Sequence, residues 1–270
     1  MIKLKILPRS IYTRHILEYS EYSKTKDWAC WYSKVAPLKG KRIVNTLLEY
    51  KSRNSKVLDL GCGIGLSLSF IGQVFKNSIG CDISENSIKA TKEILKKHKI
   101  KTPVILCKKD KLPFRDNYFD IVTFIEVIEH VENPDAVLKE IRRVLKPDGV
   151  LHITTANKWW PIEPHYHLPL LSYLPKNLAN FYLKLSKRGS LYNINLPSYG
   201  RFYREVNTYF NIEDITLKII KDYKKYGLDK ERGLLISFIG SLLGRFNLGF
   251  LEKVVVRFSL GWLFIAKPSK

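Results

Sequence analysis

The sequence predicts an α/β protein, a mostly parallel sheet with helices on both faces. Short apolar runs alternate with helical segments over residues 56–156, the order that right-handed βαβ units require. The runs are continuously apolar rather than alternating, as strands covered on both faces are. The first run ends in a glycine loop that leads directly into a helix, a geometry in which backbone approaches a ligand.

Residues 1–55 read as a mostly helical N-terminal cap carrying Trp28 and Trp31, punctuated by Pro37 and Gly40. Residues 56–156 read as the core. Lys56–Leu60 is a strand, GCGIG a loop and Leu66–Phe75 a helix. Ser78–Asp82 is a second strand ending in an acid, and Ser84 is an N-cap for a helix reaching about His98. Pro103–Cys107 and Phe119–Glu126 are the next strands. Pro134–Leu145 is an amphipathic helix opened by proline and followed by Pro147, and Gly149–Thr155 is the fifth strand. Residues 157–203 break the rhythm with ten aromatics in 47 residues, too long for a plain connection. They read as an aromatic lid insertion. Regularity returns in residues 204–270, with Ile212–Asp222 as a strand, Gly233–Gly244 as an apolar helix and Gly261–Lys267 as a last strand.

Composition excludes disorder, collagen and coiled coil, because 45% of residues are hydrophobic and 26% charged. Cys30, Cys62, Cys81 and Cys107 lie far apart without a C-x-x-C, which supports neither a zinc ribbon nor a disulfide framework. A reducing compartment is expected. The first apolar run contains Lys3 and Lys5 and stops at Pro8, too short for a signal-peptide core. No stretch has the length of a membrane span. The expected location is cytoplasmic, with peripheral membrane contact open: the apolar stretch Gly233–Leu251, beside Lys224, Lys225, Lys230, Arg232 and Lys253, suits an anionic surface or simply packs on the sheet. Net charge is +21, and the excess flanks the core: +8 in residues 1–55, +3 in 56–149 and +10 in 150–270. Such a rim attracts RNA, DNA or anionic lipid, or serves solubility alone.

The loop spacing is Gly61, Gly63, Gly65, and a dinucleotide fingerprint would place its third glycine where Leu66 stands. No G-K-[ST] follows, which excludes a phosphate-binding P-loop. Asp59, inside the strand, would oppose a pyrophosphate but suits an ammonium group. Asp82 is placed to accept hydrogen bonds from a ribose diol. Together they ask for a nucleoside that carries an amino acid and no phosphate.

VLDLGCGIG, GCDIS, LPFRDNYFDIVTFIEVIEHV and LKPDGVLHITT, in this order, closely resemble the motifs of class I S-adenosylmethionine-dependent methyltransferases. The resemblance covers about residues 55–156 and implies a Rossmann-like fold with a seven-stranded sheet. It implies that Asp59 and the backbone of Gly61, Cys62, Gly63 and Gly65 hold the methionine part of S-adenosylmethionine. Asp82 would bind the ribose and Ile83 would pack on adenine. Family members often carry an acid near the adenine amine; here that position is Lys108, so the contact falls to Asp110 or to backbone near Lys109.

Glu126 ends the fourth strand at the carboxyl edge, where ligands bind in such sheets. Glu129 and His130 complete E-x-x-E-H, and His165 and His167 follow in PHYH. Carboxylates and imidazole together suit Mg²⁺ or Mn²⁺. The pattern resembles the metal site of small-RNA 2′-O-methyltransferases and the corresponding loop of quinone-biosynthesis O-methyltransferases, which implies Glu126, Glu129, His130 and His167 as ligands. Without a metal, His130 is the first candidate base, His165 or His167 the second, and Glu126 touches cofactor or acceptor. The expected function is methylation of a hydroxyl on a small-molecule, quinone-like or lipid-linked acceptor. The alternatives are a metal-dependent RNA 2′-O-methyltransferase and a non-catalytic protein that binds cofactor or membrane.

Overall fold

A computed structural model describes residues 3–20, 26–108, 111–245 and 249–269. The cap consists of α1 (Arg9–Tyr19) and α2 (Lys26–Tyr50). The core then runs β1 (Val57–Leu60), α3 (Leu66–Val74), β2 (Ser78–Asp82), α4 (Glu85–His98), β3 (Val104–Leu106), β4 (Phe119–Ile125), α5 (Pro134–Val144) and β5 (Leu145–Ala156). The insertion holds a short hairpin, β6 (Ile162–Glu163) and β7 (Leu168–Pro169), and α6 (Lys176–Leu185). The chain returns through α7 (Tyr199–Asn207), β8 (Phe210–Asp214), α8 (Thr216–Lys221), α9 (Leu228–Arg245), α10 (Gly249–Arg257) and β9 (Gly261–Pro268).

The seven-stranded sheet has the order β3-β2-β1-β4-β5-β9-β8. The first five are parallel, and β9 runs antiparallel to both β5 and β8. The chain therefore moves outward from β1 to β3 and returns to β4 on the other side of β1. That reversal opens a crevice at the carboxyl ends of β1 and β4, the expected ligand position in such sheets.

The strands are continuously apolar because successive residues feed two cores. Val57 and Ile121 pack with Leu47, Phe70 and Ile71 under the cap, while Leu58 and Val122 pack with Leu138, Ile141 and Phe264 on the other face. Gly40 lets α2 settle on α3, since a Cβ there would enter the Phe70 ring. Ser84 caps α4 by accepting from Ser87 N (3.3 Å), and Asn133 caps α5 by accepting from Ala136 N (3.2 Å).

The strand expected at Ile212–Asp222 ends at Asp214. Asp214 Oδ1 accepts from Thr216 N (2.9 Å), turning the chain into α8, and Ile215, Ile219 and Ile220 are buried at helical spacing. The helix expected from Gly233 begins at Leu228 and packs on α8 and α2. The cysteines are also closer than their sequence positions suggest. Adjacent strands β2 and β3 bring Cys81 and Cys107 together as a disulfide with Cα atoms 5.9 Å apart.

The insertion has its own core of Tyr166, Leu171, Ala179, Leu183, Tyr192 and Ile194. The last aromatics of that stretch belong elsewhere. Phe202 stacks on Phe264 (4.4 Å between centroids) and Tyr199 meets Trp262 edge-on, so α7 covers the main sheet. Among the described residues, no helix is long and apolar enough to cross a membrane.

Candidate active site

The crevice opens into a cavity of about 1720 Å³, lined by the glycine loop, the β4 carboxyl end, the cap and the insertion. Small-molecule sites usually occupy about 300–1,000 Å³. The space is therefore large enough for two small molecules side by side.

Gly61, Gly63 and Gly65 all have positive φ (71°, 54° and 81°), which glycine adopts without strain. Gly63 faces open space, so its backbone can meet a ligand directly. Gly65 instead abuts the backbone of Thr91, where a Cβ would lie 2.8 Å from Cα. Gly65→Ala should therefore lower stability by about 1–3 kcal/mol, the usual cost of a strained backbone position. Urea unfolding checks this, and a midpoint equal to wild type would refute it.

Asp82 ties the loop together. Its Oδ2 accepts from Gly63 N (2.8 Å) and its Oδ1 from Ser84 N (3.0 Å). Each oxygen keeps a second lone pair for a hydroxyl donor. Thr91 Oγ1 donates to the Gly63 carbonyl (2.7 Å), and the cap reaches in through His15 Nε2, 2.8 Å from the Ile64 carbonyl. Cys62 is buried at the cavity wall. Ile83, 57% exposed, stands on the rim with Lys108 nearby on the lining. Lys109 and Asp110 lie outside the described residues.

Asp59 is buried at 2% exposure. Register places it opposite Thr123, whose Oγ1 donates to its Oδ1 (2.6 Å). Its Oδ2 has no hydrogen-bond partner among the described residues. Burial, with the Asp82 charge adding to it against the Thr123 hydrogen bond, pushes its pKa up to about 7. A buried carboxylate oxygen left unpaired beside an open glycine backbone fits a cationic amine. This donor set matches the amino-acid end of S-adenosylmethionine.

Across the cavity, Glu126 leaves β4 with φ 55°, its N–H donating to Thr154. Its Oε1 accepts from Lys39 of the cap at 2.7 Å. Burial opposes the Lys39 charge, but the Glu126 charge outweighs it and holds the ammonium above its usual pKa. Glu129 is 1% exposed. Its Oε2 accepts from Thr155 Oγ1 (3.0 Å), and its Oε1 has no hydrogen-bond partner among the described residues. Burial pushes its pKa up to about 7 against the pull of His165. His130 and His165 meet edge-on with centroids 5.0 Å apart. Burial and the neighbouring His165 lower His130 to about 4. Burial works against charge on His165 too, but Glu163, 2.8 Å from Nδ1, raises it above the usual value.

Glu129, His130 and His165 form the group whose ligand atoms lie within 4.8 Å of one another. Of the expected ligands Glu126, Glu129, His130 and His167, the structure brings Glu129 and His130 into this group among the described residues. Glu126 is held by Lys39. His167, at φ 52° after the hairpin turn, packs edge-on against Trp28 and Trp31 (6.4 and 5.8 Å) and joins the insertion to the cap. His152 is buried in β5 as a core residue.

Lys39, Thr91, Thr123, Thr155 and Glu163 were not apparent from sequence. Glu163 alone left a local signal, since a carboxylate two residues before His165 reaches it across one turn.

Residues 58–153 match the family described as Methyltransferase domain. A 128-residue stretch is 37% identical to the ubiquinone/menaquinone biosynthesis C-methyltransferase UbiE of Burkholderia cenocepacia, over 44% of this chain and 51% of that protein. UbiE of Cupriavidus taiwanensis matches at the same identity and coverage (37%, 44% and 51%). The chain thus spans about half the length of the curated relatives it matches. A solved protein from Pyrococcus horikoshii has the same fold, with a TM-score of 0.55 and 21% identity over 96% of this chain and 99% of that one. The cyclase SpnF shares it as well, at a TM-score of 0.51 and 15% identity over 85% and 81%. The fold alone therefore does not name a reaction.

Proposed function

We propose, from the match of residues 58–153 to the Methyltransferase domain family and the Asp59–Gly63–Asp82 cradle, that the protein is a class I S-adenosylmethionine-dependent methyltransferase that methylates a hydroxyl on a small, quinone-like or lipid-linked acceptor. The observation that carries this reading is one cavity joining two unsatisfied carboxylate oxygens, Asp59 Oδ2 and Glu129 Oε1. The first suits the cofactor's amine and the second suits proton transfer at an acceptor.

S-adenosylmethionine, when bound, supplies a methyl group on a sulfonium, a leaving group that needs no proton. The protein's own task is alignment and acceptor ionisation. Asp82 and the Gly63 backbone would hold the adenosine and methionine parts, with Ile83 available to pack on the base. His130, kept neutral by burial, takes the acceptor proton. The Glu129 carboxylate then balances the imidazolium, much as a buried carboxylate orients and stabilises a catalytic histidine elsewhere. Trp160, Ile162 and His167 of the insertion wall the acceptor side.

Two specific observations favour further readings. The relatives are named C-methyltransferases of quinone biosynthesis, and an ionised phenol carries nucleophilic charge on ring carbon as well as oxygen. The Glu129–His130–His165 group also has the donors for Mg²⁺ or Mn²⁺, with Glu163 behind His165 as a supporting carboxylate. Incubation with isotope-labelled S-adenosylmethionine and a panel of quinols and polyprenyl-linked hydroxyl compounds tests the proposal. A methyl ether product is expected. A carbon-bound methyl would replace the first reading with the second, and labelling of RNA alone would overturn both.

A further inference from the structure

We propose that α6 of the insertion docks the protein on an anionic membrane surface. The inference rests on the reading above for its purpose, acceptor delivery, but not for its physical basis.

Leu178, Phe181 and Leu185 fall at i, i+3 and i+7 on α6, a single stripe of a helix. All three face outward, at 55%, 65% and 71% exposure. The opposite side of α6 is already seated, with Ala179 and Leu183 buried in the core of the insertion. The outward stripe is therefore not a misplaced core face. Leu170 and Leu191 of the same insertion are exposed too (53% and 61%). An exposed apolar stripe of this kind on a helix whose other side is already buried marks a contact site.

Charge selects the occupant. No Asp or Glu occurs in residues 164–204, while Lys176, Lys184, Lys187, Arg188, Arg201 and Arg204 do. Lys176, Lys184, Lys187 and Arg188 are exposed beside the stripe. Apolar side chains ringed by cations without acids are the signature of a helix lying in the headgroup region of an anionic leaflet. A second copy of this chain would have to place the same cations opposite themselves. The surrounding +21 charge adds long-range attraction to the same surface.

The location gives the contact a use. The segment that carries α6 also supplies Trp160, Ile162 and His165 to the cavity wall. A protein seated on α6 holds its acceptor side close to the bilayer, where an isoprenoid-linked hydroxyl resides. The stretch Gly233–Leu251, expected to suit the same surface, exposes Phe238 and Phe250 as well (69% and 82%).

Co-sedimentation of the whole protein with vesicles tests this, comparing phosphatidylcholine alone with phosphatidylcholine–phosphatidylglycerol mixtures. Binding is expected only with the anionic lipid and should weaken as salt rises. The double variant Phe181→Ser, Leu185→Ser removes two apolar anchors and should lower vesicle affinity by about a hundredfold. The reversal Lys184→Glu, Lys187→Glu should also weaken it without altering the apolar face. Both variants should keep wild-type S-adenosylmethionine affinity and wild-type turnover on a detergent-solubilised acceptor, which separates this inference from the proposed function. Equal binding to neutral vesicles, no vesicle binding, or concentration-dependent dimers lost in the serine variant would each overturn it. So would binding to RNA that the serine variant leaves unchanged.

Discussion

Asp59→Asn is expected to weaken S-adenosylmethionine binding by about ten- to a hundredfold, the range for losing a hydrogen bond to a charged partner. The fold should not suffer. Asparagine keeps an oxygen for Thr123 Oγ1, now at 2.6 Å from Asp59 Oδ1, and it removes a buried charge that nothing in the apo site balances. Affinity falls while urea resistance holds or rises, a combination that general misfolding does not produce. The pH dependence follows from the same residue. Its folded pKa of about 7 lies above the ordinary aspartate value of 3.8, so the folded apo protein holds this proton more tightly than the unfolded chain. The stability from that proton is complete below the unfolded value and is lost as pH rises through about 7. An ammonium ligand favours the carboxylate, so affinity should rise with pH across the same interval and binding should release protons. Calorimetry in buffers of different ionisation enthalpy reads both effects. An Asp59→Asn protein with wild-type affinity, or with an unchanged pH profile, would remove Asp59 from the cofactor site.

What could be read from the sequence was local. Gly61 to Gly65, Asp82 and the Ser84 cap act on neighbours a few residues away, and a strand–loop–helix arrangement fixes their relative positions. Thr123 was invisible because its role comes from register: it matters only because β4 pairs with β1 so that it faces Asp59. Lys39 lies 87 residues from its partner Glu126 and reads in the sequence as one more lysine in a lysine-rich helix. The choice between His165 and His167 was beyond sequence for another reason. Two residues apart, both lie in the turn between β6 and β7, and positive φ at His167 sends its ring to the tryptophans rather than to Glu129. The misread strand at Ile212–Asp222 shows the usual ambiguity of a short apolar run. Its isoleucines suit either element, and Asp214 decided for a helix by bonding the backbone ahead of it.

His130→Ala should reduce turnover by about 10²–10⁴-fold, the usual contribution of a positioned general base, with cofactor affinity unchanged because Asp59 and Asp82 are untouched. An unperturbed imidazole would place the acid limb of the pH–rate profile near 6.5. Here burial and His165 hold His130 near 4, so the imidazole stays neutral well below that point. The limb is set instead by Glu129, whose carboxylate takes a proton at about 7. Below that pH, proton transfer to His130 would create a cation without the Glu129 charge to balance it, and the rate should drop. Glu129→Gln should abolish the inflection and leave a low, flat profile. In this arrangement Glu129 and His130 carry the proton without a cation, while Glu163 raises His165 above its usual pKa. Turnover is therefore expected to persist in excess chelator. Collapse in chelator with recovery on adding Mg²⁺ or Mn²⁺ would transfer the Glu129–His130–His165 group from proton transfer to metal binding. Full activity of both His130→Ala and Glu129→Gln would remove the group from the chemistry, leaving alignment against the sulfonium as the protein's whole contribution.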